Sequence, residues 1–124
     1  MFSSTNGSAE FLLAADHEIY LATPADVADA LGKCFGSAGL ILTEQDVSVD
    51  FFALGTGLAG ETFQKFTNYR VPLALVIGDF DAYGARFAEL AHEHATHSAV
   101  RFVHTIDEAK AWLASLTAPA AASR

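Results

Sequence analysis

The chain has 124 residues, the length of one domain around one core, and its ten Phe within 52% hydrophobic content can build that core without staples. A single cysteine, Cys34, excludes an intramolecular disulfide framework. A net charge of −8, with seven scattered basic residues, argues against nucleic acid. No apolar run reaches the roughly 18 uncharged residues of a membrane span.

The start, "MFSSTNGSAEF", lacks the basic and apolar regions of a secretory signal, so the expected location is cytoplasmic. Residues 1–8 are expected to be a flexible N-terminus, 9–117 a single α/β domain, and 118–124 a flexible tail. "EFLLA" and "EIYLA" flank "ADH", which reads as an N-terminal antiparallel β-hairpin. "TPADVADALGKCFG" reads as a helix: Thr23 as cap, Pro24 at the first helical position, Asp26 three after the cap. Val27, Ala30, Leu31 and Cys34 form its core stripe, and Gly36 is its expected terminator.

"GLILT" (39–43) fits a strand buried on both faces, and "VPLALVIGDF" (71–80) a central parallel strand. Between them, residues 56–70 project Leu58, Ala59, Thr62, Phe63, Phe66 and Tyr69 onto a core arc. A third helix is predicted over about 82–95, with Asp81 as N-cap and Tyr83, Phe87, Leu90 and Ala91 buried. "AVRFVHT" alternates as a strand, with Val100, Phe102 and His104 on one side. The last helix, about 106–116, opens on a Thr105–Glu108 capping box and buries Ile106, Ala109, Trp112, Leu113 and Leu116. This order predicts an α/β fold: the hairpin, then alternating helices and strands, giving a mixed, largely parallel sheet of about five strands flanked by four helices.

The stretch "DFFALGTGLAGETFQKFTNYRVPLALVIGDF" (50–80) resembles the signature of the domain-of-unknown-function 4180 family, through "TGLAGE", "QKF", "NYR" and "GDF". The resemblance extends more weakly from about Ile19 to Leu116, and implies a small α/β domain similar to the STAS type, without an established activity. Two positions depart from the family pattern. Asp81 stands where a Ser usually follows "GDF", and "HEHATH" (92–97) replaces an Asn-containing stretch, so roles of that Ser or Asn do not carry over.

Ligands of open parallel sheets sit beyond the carboxyl ends of the strands. Here that edge holds Thr43, Glu44, Asp79, Asp81, His104 and Thr105, and the start of the central helix with Gly57 and Gly60, whose N–H groups suit an anion. The plain alternatives are that Gly57 and Gly60 allow close packing and that Asp79 and Asp81 cap turns. Asp79, Glu61 and His104 are the candidate acid–base groups of a small enzyme or small-molecule binder. No nucleophile elbow, GxGxxG or phosphate loop accompanies them.

His94 and His97 in "HEHATH" can converge, yet no further ligand cluster joins them, so neither metal nor cofactor is expected. Cys34 reads as a core residue. Phe51 and Phe52 read as core, or as an aromatic lid or homodimer contact. The leading expectation is a non-catalytic module binding a protein partner or a small regulatory ligand. Its surface would be the polar face of the central helix, Glu61, Gln64, Lys65 and Asn68. The alternative is an enzyme or ligand-binding protein using the strand-end cleft.

Overall fold

A computed structural model describes residues 11–35, 37–94, 97 and 99–117. The expected loose ends, 1–8 and 118–124, and the terminator Gly36 lie outside the described residues. Among these residues the elements run β1 (Phe11–Leu13), α1 (Pro24–Cys34), β2 (Gly39–Thr43), α2 (Val49–Phe52), α3 (Leu58–Asn68), β3 (Leu73–Val76), α4 (Ala85–Glu93), β4 (Val100–Val103) and α5 (Ile106–Thr117).

The four strands pair in chain order, β1-β2-β3-β4, and every pair is parallel. In register, Leu12, Leu40, Leu73 and Val100 lie side by side, and Phe11 neighbours Gly39. Because side chains alternate along a strand, the sheet carries two separate apolar sets. Leu40, Leu42, Leu73, Leu75, Ile77, Val100 and Phe102 pack with α1, α3 and α4. Ile41, Ala74, Val76 and Val103 pack with Ala109, Trp112 and Leu113 of α5. Connections of one hand between sequential neighbours stack their helices on one face, and the chain beyond β4 folds back over the other.

Among the described residues, the expected hairpin and mixed, largely parallel sheet of about five strands are corrected to four strands, all parallel, and the four expected helices to five, the short α2 being the addition. Ala14–His17 form a 3₁₀ turn after β1, and Glu18 adopts a left-handed conformation at φ 56°. That bend carries the chain away from β1 instead of back along it. Ile19 and Leu21 are still buried, beneath the helices, and Leu21 makes only an isolated parallel bridge to Val47. The apolar alternation marked an extended segment correctly; what is absent is a ladder partner.

α1 forms as its signals dictate. Thr23 and Asp26 make a full capping box around Pro24, and Val27, Ala30, Leu31 and Cys34 are buried. β3 is buried along its whole length between two neighbours, the place expected of a central strand. α4 begins later than predicted: Phe80–Tyr83 form a 3₁₀ turn capped by Asp79, and Gly84, at φ 102°, precedes α4. Asp81 is therefore no helix cap. Tyr69 is corrected from core to surface, because α3 ends at Asn68 and Arg70 turns left-handed at φ 59°. Val71, not Tyr69, then continues the buried side, its N–H donating to the Phe66 carbonyl at 2.9 Å. Ile106 and Leu116 are also more exposed than expected, since the buried side of α5 is made by Ala109, Trp112 and Leu113.

Candidate functional site

The carboxyl ends of β2, β3 and β4 are tied together by side chains. One Glu44 carboxylate oxygen accepts the Gly78 N–H at 2.9 Å, and the other accepts the Tyr83 hydroxyl. That bond, with burial and the Glu44 charge adding, pushes the Tyr83 phenol up to about 12. The Tyr83 ring stacks on Phe52, centroids 3.7 Å apart and the ring planes nearly parallel. Glu44, Val47, Val49, Phe52, Ala53 and Tyr83 line an open cavity of about 500 Å³. Phe51, by contrast, is fully buried, so of the two expected lid residues only Phe52 borders this cleft.

Around β4 the edge differs. His104 Nδ1–H donates to the carbonyls of Ile77 and Gly78, 3.1 Å each, and the imidazole stacks on Phe80 at 4.2 Å. Both partners are carbonyl oxygens, which only accept, so Nδ1 carries a proton. A second cavity, of about 510 Å³, runs past His104, Glu108, Phe80 and Trp112. The Arg101 guanidinium lies 5.1 Å from the centre of the Trp112 ring, a cation–π contact across its wall.

The three proposed acid–base residues are engaged separately. Asp79 accepts the Asp81 N–H at 2.9 Å, the turn-residue alternative. Glu61 pairs with Lys65 at 3.4 Å. His104 is held by the Ile77 and Gly78 carbonyls just past β3. No hydrogen bond joins any two of the three, and Glu61 and His104 border different cavities.

At the start of α3, Gly57 takes φ 83°, which favours glycine. A cavity of about 320 Å³ there is lined by Thr56, Gly57 and two carboxylates, Asp50 and Glu61. Those charges oppose an anion. Close packing explains neither glycine: a Cβ at Gly57 or Gly60 would meet nothing within 4 Å.

The histidines His94 and His97 of "HEHATH" do come together, their ring centroids 4.9 Å apart, but each is engaged with the backbone through Nδ1. His94 Nδ1–H donates to the Leu90 carbonyl at 2.9 Å. His97 Nδ1 instead accepts the N–H groups of Ala99 and Val100, at 3.0 and 3.1 Å. The one lone pair of His97 is therefore spent on the backbone. Among the described residues no group of three or more His, Cys, Asp or Glu is placed to hold a metal ion.

The outer face of α3 carries Gly60, Gln64 and Asn68, all exposed, with Glu61 and Lys65 half-exposed between them. At its end stands a feature that helical projection missed. Phe35, 58% exposed just past α1, meets Tyr69, 59% exposed, edge to face at 5.9 Å. With Ala28, Leu31, Gly32 and Lys65 they border a shallow hollow of about 260 Å³. Phe35 follows the last periodic residue of α1, so no spacing rule assigned it a face.

An all-parallel, four-stranded α/β domain with one polar helix face and two strand-end clefts is the class these features define. The chain belongs to the family described as Domain of unknown function (DUF4180), whose model matches residues 6–113. Neither the curated proteins nor the solved structures contain a match. Among the described residues no helix is long and apolar enough to cross a membrane.

Proposed function

We propose that the protein is a binding module whose partner, another protein, docks on the face formed by α3 and the end of α1. The observation that carries this reading is the exposed Phe35–Tyr69 pair at the end of the polar helix face. Two aromatics that pack on each other in solvent, bordered by Lys65 and Asn68, have the make-up of an interface centre: apolar anchors inside a polar rim. Gly60 supports it, since a helix glycine with open space around it lowers stability and gains no internal packing. The strand-end carboxylates favour binding over acid–base chemistry, because Glu44 and Asp79 serve as struts for neighbouring N–H groups.

The test is affinity capture with two double variants, Phe35→Ala/Tyr69→Ala and Gln64→Ala/Lys65→Ala. A captured partner should be lost or weakened at least about tenfold, as expected when central anchors are truncated, while the melting temperature stays near that of the parent. Equal capture by the parent and both variants would remove this face from consideration.

A second reading rests on the cavity beside Glu44 and Tyr83, which occupies the strand-end position where open α/β sheets bind small ligands. Its mostly apolar wall and single carboxylate suit a neutral or cationic molecule.

A further inference from the structure

Among the described residues, strand order leaves β4 with a neighbour on one side only. The carbonyls of Ala99 and Val103 accept the N–H groups of Leu73 and Ile77, both at 2.9 Å. Residues 99, 101 and 103 thus face β3, and Val100, Phe102 and His104 turn their backbone outward. Such a row of N–H groups is a template for another strand. An apolar bed lies beside it, since Phe80, Phe102 and Trp112 line the adjoining cavity.

Each outward N–H is nevertheless occupied. His97 Nδ1 accepts that of Val100 at 3.1 Å. The His94 carbonyl accepts that of Phe102 at 3.2 Å. The Glu108 carboxylate accepts that of His104 at 2.7 Å. These acceptors come from the segment after α4, the end of α4 and the first turn of α5. Arg101 adds a tether, its Nε–H donating to the His97 carbonyl at 3.2 Å.

We propose that His97 and Glu108, with the His94 carbonyl, form a cover that keeps β4 from pairing with the β4 edge of a second copy of this chain. Two of the three acceptors are side chains, so substitution can free the Val100 and His104 N–H groups without changing the strand. The occupant it excludes is an identical edge with the same apolar bed, met across a two-fold axis as an antiparallel pair.

The test is sedimentation velocity over a range of concentrations for the parent, His97→Ala/Glu108→Ala and Glu108→Gln. The double variant should self-associate about tenfold or more tightly than the parent. Glu108→Gln keeps an acceptor oxygen and should sediment as the parent. A folded double variant that sediments as the parent at every concentration would overturn the proposal. Amide exchange of the parent gives an independent reading. The Val100 and His104 amides should exchange roughly 100-fold or more slowly than unprotected amides, and exchange of either at the unprotected rate would overturn it too.

Discussion

Cys34 ends the buried stripe of α1, and burial pushes its thiol up to about 11. The thiolate is the reactive form. The folded chain should therefore resist alkylation at neutral pH and yield its one thiol on denaturation; rapid labelling of the native protein would contradict that burial. Asp26 has the opposite shift. The Ala22 N–H holds its carboxyl below the ordinary value of 3.8, Thr23 adds to this, and partial burial opposes it. A depressed folded value means the contribution is present above about 3.8 and is lost as pH falls through the lower, folded value. Melting curves of the parent and Asp26→Asn should therefore differ above that pH and converge below it; a constant offset would contradict the capping role. For Tyr83, raised above 10.0, the sign reverses: its bond to Glu44 stabilises fully below that pH and is lost as pH rises through about 12. Ultraviolet difference titration of the parent against Tyr83→Phe should show the missing phenolate forming only near the upper value. Side chains of this kind were partly legible. The Thr23–Asp26 box follows from three-residue spacing, whereas the Glu44–Tyr83 bond joins residues 39 positions apart, which no local pattern reports.

Among the elements, α3 separates residues the fold needs from residues it does not. Phe66 is fully buried, and Phe66→Ala should cost about 3–5 kcal/mol. Gly60→Ala adds a methyl in open space on an exposed face, and should stabilise by up to about 1 kcal/mol. Both are read from denaturant melts, and a destabilising Gly60→Ala would show an internal role for that glycine. β2 gives the contrasting glycine. At Gly39, φ 150°, a Cβ would sit 2.8 Å from both the Pro72 carbonyl oxygen and a Leu113 methyl. One neighbour is backbone and cannot rotate away, so Gly39→Ala should lose about 1–3 kcal/mol. Apolar patterning made α1, α3 and β3 legible, because α1 and α3 each bury one face continuously and β3 buries both. It failed for "EIYLA", where burial without a ladder leaves the same alternation as a strand. It failed again at Tyr69, since a projection assumes that the helix continues, and the left-handed Arg70 ends it.

For the whole molecule, alternation of apolar runs and helices was enough to imply a largely parallel α/β sheet. The count and the sense of the first strand were not, because they depend on the 3₁₀ turn and the left-handed Glu18 after β1. The polar face of α3 was visible in the sequence as the residues folding does not require. Its aromatic end was not, since Phe35 and Tyr69 meet only once α1 and α3 pack side by side. Strand-end ties at Glu44 and His104, and the occupied β4 edge, support the proposal that this helical face is where a partner docks. The most direct test is native mass spectrometry of the protein gently isolated from its own source, run beside Phe35→Ala/Tyr69→Ala. A co-purifying protein mass is expected with the parent and should be absent from the variant. A small-molecule mass retained equally by both, or a protein mass indifferent to the substitutions, would contradict it and turn attention to the cleft beside Glu44 and Tyr83.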